Sequence, residues 1–195
     1  MSTNAPALGR PTVLADAIPG ARTRDIALVV GGALFTALMA QLVIPMTPVP
    51  MTGQTLAIGL VGASLGLRRG LASIALYVAL GFVFPFYAEG SSGISHLWGA
   101  TGGYIWGFIA AAAIVGWMAE HGADRKISLA FATFVIAQLV IFVPGVVVLQ
   151  LVTHLSWSAA IHSGFTVFIV GGLVKAAVGA AVLPGVWHAV NRSNG

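Results

Sequence analysis

Residues 127–191 read ISLAFATFVIAQLVIFVPGVVVLQLVTHLSWSAAIHSGFTVFIVGGLVKAAVGAAVLPGVWHAVN, and Lys175 is the one formal charge in the whole stretch. It divides into two apolar spans, Ile127–Gln150 and about Gly164–Val190, each as long as a bilayer-crossing helix needs to be. An ammonium placed in such a span costs about 2.5–3.5 kcal/mol on insertion scales, so something must offset it. An acceptor-rich ligand or a polar pocket within reach is the cheapest explanation.

The rest of the chain agrees. Apolar residues make up 58% of it and charged residues 7%, with a mean hydropathy of +0.96. Soluble domains carry about 25% charged residues, so the composition excludes an ordinary globular protein. The fold class expected is an all-α integral membrane protein. Four more spans precede the two quoted: about Ile26–Ile44, Thr52–Leu67, Leu71–Phe86 and Leu97–Met118. The second is short and is turned directly into the third by Arg68-Arg69-Gly70, so a span that is tilted, broken or not fully crossing is expected there. Residues 1–24, polar and holding Pro6, Pro11 and Pro19, read as a disordered cytoplasmic tail. Residues 25–195 read as one six-helix transmembrane domain. The chain has no cysteine, which excludes disulfides, thiolate metal sites and thiol catalysis.

The cations set the orientation. With a cytoplasmic N-terminus and six crossings, all 9 Lys and Arg except Lys175 fall inside, leaving the outer loops without a basic residue. Both termini are then cytoplasmic. The high pI, about 10.1, reflects this orientation and not a nucleic-acid partner. The first outer loop, Pro45-Met46-Thr47-Pro48-Val49-Pro50, is uncharged and stiffened by proline, which suits a lid over a cavity or a rigid connector.

Two absences bear on energy. Asp16, Asp25, Glu120 and Asp124 fall on the cytoplasmic side and Glu89 in an outer loop, so no carboxylate sits mid-span to carry a coupling proton or cation. No Gly-Lys-Ser/Thr phosphate loop exists for ATP hydrolysis. Uphill transport would need another subunit to supply the energy.

Several constellations could recognise a small molecule. Lys175 lies roughly ten residues into the sixth span, about 15 Å along its axis, too deep to snorkel fully to a surface. It could meet a carboxylate or carbonyl in a central pocket, or backbone carbonyls of a neighbouring helix. Gly171-Gly172 lie one turn earlier and permit close approach. Thr101-Gly102-Gly103-Tyr104 opens the fourth span behind Trp98, either as a ligand wall or as helix packing with an interfacial aromatic belt. Thr52 and Gln54 follow the proline loop, where Gln54 offers donors and an acceptor to an amide or ureide, or faces water. Ala33, Ala37 and Ala40 form a small-residue stripe on which another helix could pack. Gly90-Ser91-Ser92-Gly93 superficially matches an intramembrane serine protease, but no His lies on a span face to activate Ser92. The histidines lack metal-ligand spacing.

Taken in order, these segments resemble the BioY family, the biotin-specific S components of energy-coupling-factor (ECF) transporters. Pro48-Val49-Pro50-Met51-Thr52-Gly53-Gln54-Thr55-Leu56 is similar to that family's Pro-Val-Pro-x-Thr-x-Gln-Thr-Leu signature. Gly66-Leu67-Arg68-Arg69-Gly70 with Ser73, Tyr77 and Gly81 resembles its next segment. Gly99–Tyr104 is similar to Gly-Pro-Thr-Gly-Gly-Tyr, and Gly171–Lys175 to Gly-Asp-x-x-Lys, with Ala100 and Gly172 as departures. The resemblance implies a biotin pocket near the outer surface, covered by the first loop. Gln54, Thr101, Tyr104 and Lys175 would supply polar contacts, with Thr52, Gly102 and Gly172 beside them, and Trp98 and Tyr87 would flank the apolar part of biotin. It implies that Ala33 and Ala37 dock on a transmembrane T component, which two cytoplasmic ATPase subunits energise. The expected setting is a bacterial inner membrane, with biotin as transported ligand and no cofactor, metal or catalytic residue. An S component for another vitamin and a stand-alone membrane facilitator are the alternatives.

Overall fold

The computed structural model describes residues 12–20 and 22–193. Among these, five helical stretches are long and apolar enough to cross a membrane. They are α1 (Arg22–Ala40), α2 (Gln54–Leu80), α3 (Gly102–Glu120), α4 (Ile127–Thr153) and the stretch Trp157–Arg192. The last combines a short α5 (Trp157–Gly164), a 3-10 turn (Thr166–Phe168) and α6 (Ile169–Ser193). Two short strands, β1 (Val43–Ile44) and β2 (Met51–Thr52), pair antiparallel around the proline loop.

The junction of the second and third expected spans lies inside α2. Gly66 has φ 81° and ψ −179°, a conformation essentially reserved for glycine. The chain reverses there. A methyl carbon on Gly70 would lie 3.1 Å from Gly62 Cα, whereas eight residues of straight helix would separate the two by about 12 Å. Glu120, the last residue of α3, accepts a hydrogen bond from the Leu67 amide (2.9 Å) and so ties this break down.

Expected helix ends shift for local reasons. The third span stops at Leu80 because Phe84-Pro85 cannot continue a helix. The fourth starts at Gly102, after a 3-10 turn at Ile94–Leu97. The sixth starts at Ile169, placing Lys175 about 9 Å from the helix start and not about 15 Å. The helices pack in a bundle in which α2 contacts α1 and α3, while α4 contacts α3 and α6. Tyr77, Phe134, Ile74, Ile141, Leu149 and Leu183 are fully enclosed. Leu38, Val143, Val170 and Val174 face outward, as expected where lipid replaces water.

The expectation of a disordered tail through residue 24 holds a correction. Residues 1–11 and 21 lie outside the described residues, but Leu14–Ala17 form a 3-10 turn with Val13 and Ala15 buried. Arg69 holds that turn in place, donating to Asp16 Oδ1 at 2.6 Å and to Asp25 Oδ1 at 3.1 Å. Burial alone would raise the Asp16 carboxyl. Hydrogen bonds from Thr12 and Arg69 outweigh it and hold the group below its ordinary 3.8. An acid with a depressed folded pKa contributes stability that is complete above its unfolded value and lost as pH falls through the folded one. Amides 13–18 are therefore expected to keep their exchange protection down to about pH 4 and to lose it below. Hydrogen exchange, corrected for intrinsic rates, checks this; unchanged protection at pH 3 would show that the Asp16–Arg69 contact does not hold the turn.

The same end holds Asp124 and Arg125. Arg125 donates to the Thr12 carbonyl (3.3 Å) and stacks over the Trp187 ring (4.6 Å). Trp187 donates to Asp124 Oδ2 (2.5 Å), whose burial pushes that carboxyl above its ordinary range. The N-terminal segment, the Gly66 break, the α3–α4 connection and the end of α6 thus share one end of the bundle.

Candidate ligand-binding site

At the opposite end, the proline loop, β2, the loop at 87–96 and helices α2, α3, α4 and α6 surround a cavity of about 230 Å³. Ligand pockets typically span about 300–1,000 Å³, so this one lies just below that range and admits only a small molecule. Its roof is the proline loop: Pro48, Val49 and Pro50 line it, with Val49 buried. The strand pairing brings Thr52 under that roof and leaves Gln54 as the first residue of α2.

The polar groups of the wall form one connected network. Lys175 Nζ donates to the Thr52 carbonyl (2.5 Å) and to Thr55 Oγ1 (3.2 Å). The Thr52 hydroxyl donates to Gln54 Oε1 (2.7 Å), and Gln54 Nε2 donates to the Tyr77 hydroxyl (2.6 Å). These partners offset much of the ammonium's insertion cost. Yet an ammonium has three donors, and two are used. Gln54 likewise retains a second N–H and a second lone pair. Among the described residues Lys175 makes no ion pair with a carboxylate. The arrangement is therefore preorganised and still has capacity for a ligand oxygen.

Aromatic rings make the apolar walls. Tyr104 meets Phe142 edge-on (6.0 Å between ring centres), and Phe142 packs on Phe168 (5.5 Å); all three line the cavity with Phe108 and Ile141. The Tyr104 hydroxyl donates to the Gly164 carbonyl (2.9 Å), so Tyr104 contributes its ring and not the polar contact expected of it. Tyr87 likewise lines the cavity with its hydroxyl turned elsewhere. Its hydroxyl donates to the Val78 carbonyl (2.7 Å), and burial pushes its pKa up to about 12, so it stays neutral. Gln41, at the end of α1, clamps this loop. It donates to the Tyr87 carbonyl (3.0 Å) and accepts from the Gly90 amide (2.9 Å).

Of the residues expected at the site, Thr52, Gln54, Tyr87, Thr101, Tyr104, Gly172 and Lys175 line the cavity together. Two do not. Trp98 is 71% exposed and leans on Trp106, because the 3-10 turn before α3 aims it outward. Gly102 sits at the start of α3 against the Leu97 carbonyl, outside the wall. The stripe Ala33, Ala37, Ala40 is also corrected. All three are buried within this chain, where small side chains let α1 lie close on α2, and Ser73 Oγ donates to the Val29 carbonyl (2.9 Å). Ser92 is exposed in its loop.

Sequence reasoning missed Thr55 and Gln138. Thr55 had a signal, being one residue past Gln54 within the quoted signature. Gln138 had a weaker one, as a lone amide inside an apolar span. It is 7% exposed, lines the cavity, and donates through Nε2 to the Gly172 carbonyl (2.9 Å). The departure at Gly172 has a structural counterpart here, for a side-chain carbon at 172 would collide with Gln138 Oε1.

A multi-pass helical protein with an enclosed, aromatic-walled cavity and a few convergent polar groups is a membrane-embedded small-molecule-binding protein. The sequence model of the BioY family matches residues 11–192, and the chain belongs to that family. Biotin transporter BioY2 of Lactococcus lactis subsp. cremoris is 36% identical over 153 residues, covering 78% of this chain and 84% of that one. Biotin transporter BioY of Thermotoga maritima is 37% identical over 155 residues, covering 76% and 89%. The fold is similar to that of a crystallised S-component for biotin from an ECF-type ABC transporter. That match has a TM-score of 0.78 at 19% identity and covers 85% of this chain and 92% of the other. The relatives are named as transporters, not as enzymes.

Proposed function

We propose that this chain is the biotin-binding S component of an ATP-driven ECF importer, capturing biotin from the outer side of a bacterial inner membrane. The observation that carries this reading is the cavity itself, in which an ammonium with a donor to spare meets aromatic walls under a proline-stiffened roof. Biotin needs both features, an apolar bicycle and chain to bury and polar ends to satisfy. Six crossings with both termini cytoplasmic fit the reversal at Gly66 and the gathering of charges around it, at the end of the bundle opposite the cavity. Uptake energy would come from a T component and two ATPase subunits. Docking on that T component would use the outward side of α1, where Gly31 has open space beside it and Leu34 and Leu38 are exposed.

The test is calorimetry on the detergent-solubilised wild-type chain with biotin, thiamine and riboflavin, alongside mass spectrometry of what copurifies. One biotin per chain with no heat from the other two is the expected result. No biotin binding, or equal binding of another vitamin, overturns the reading.

A further inference from the structure

The geometry points to Gln138 as a specificity-determining residue: its Oε1 accepts an N–H from the ureido ring of the ligand, while Lys175 donates to the adjoining carbonyl. This rests on the biotin reading above and adds to it the orientation of the ligand and the residue that fixes it. Gln138 stands mid-helix in α4, where neighbours on both sides are apolar and a carboxamide is costly without partners. Its Nε2 is committed to the Gly172 carbonyl, and that bond fixes which way the amide points. Among the described residues its Oε1 accepts no hydrogen bond, although Gln138 is 7% exposed and lines the cavity. Oε1 is not among the buried atoms left without a partner, so its open lone pairs have surface on the cavity, where a ligand donor can reach them.

Its placement narrows what the donor is. The space a side chain at 172 would occupy is taken by Gln138 Oε1, and residues 172 and 175 share a face of α6, three positions apart. An acceptor and a spare ammonium donor are thus presented from one side of the cavity. A cis amide or cyclic urea carries a donor N–H beside its carbonyl acceptor and matches that pair. A carboxylate offers no N–H and would leave Oε1 unpaired, facing like charge density. Glycine at 172 is what admits the carboxamide to this position.

The test is a cycle of residue change against ligand change. Binding is measured by calorimetry for biotin and for the two cyclic carbamate analogues, in each of which one ureido N–H is replaced by a ring oxygen. In the wild type, one carbamate is expected to bind about tenfold more weakly than biotin and the other less affected. Gln138→Met, close in volume and lacking the acceptor, is expected to lose about tenfold for biotin and to bind biotin and the affected carbamate equally. Gly172→Ala, whose new methyl displaces Oε1, should give the same loss of discrimination and serves if the methionine variant does not fold. A helix-stapling role alone would lower thermal stability and leave the discrimination between ligands unchanged. Discrimination equal to wild type in either folded variant, or penalties that simply multiply, overturns the assignment of Gln138. Failure of the wild type to bind biotin overturns the broader reading instead.

Discussion

Lys175→Met is expected to weaken biotin binding about a hundredfold or more. A hydrogen bond to a charged group contributes about 1.5–3 kcal/mol, and truncating one partner of a buried, desolvated contact costs about 2–5 kcal/mol. Each 1.4 kcal/mol is about tenfold in affinity. The loss has two sources. The ligand oxygen loses its ammonium donor, and the Thr52 carbonyl loses the bond that ties the strand pair to α6. Thr55→Val removes only the weaker 3.2 Å contact and should cost far less. Thermal stability separates binding from folding. The ligand-free variant loses the Thr52 tie but also a charge from the membrane interior, so the readout is the shift that biotin adds, which should vanish in the variant. Wild-type affinity in Lys175→Met would remove this residue from the site.

Gly66→Ala should be the most damaging of the small changes. At φ 81° and ψ −179° an L-residue is strained by about 1–3 kcal/mol. The added methyl would also lie 2.7 Å from Glu120 Oε1, the atom that caps the Leu67 amide. Both effects act on the reversal that lets α2 lie against itself. A fall of several degrees in melting temperature in detergent is expected, with loss of biotin binding following the loss of folded protein. The site lies at the far end of the bundle, so the folded fraction should bind biotin normally. An unchanged melting temperature would show that the reversal does not depend on glycine.

Much of this was legible in the sequence because the membrane imposes strong rules on composition. Apolar length marked the spans, and the sidedness of Arg and Lys marked the two ends. Arg68-Arg69-Gly70 marked the turn, although the residue that makes it is Gly66, four positions earlier than the last residue of that triplet. Thr52, Gln54 and Lys175 stood out because polar groups in apolar surroundings need partners. The converging network of Lys175, Thr52, Gln54 and Tyr77 was not legible, since its members come from β2, the two halves of α2 and α6.

Facing was the weakest inference. α3 and α4 are apolar all round, so no period in the sequence says which side meets lipid and which meets the cavity. The alanines of α1 looked like an outer groove and proved to be the inner seam. Trp98 looked like a ligand wall and points outward. The sequence by itself determined that this chain is a helical membrane protein, which end carries its charge, and that a buried lysine needs acceptors. Only the tertiary structure decided which groups surround that lysine, turned the Tyr104 hydroxyl away from the cavity, and brought Gln138 against Gly172. The physical reason is that solvent transfer acts on each residue separately, whereas a binding site is a set of distances between helices whose apolar faces are interchangeable until they pack.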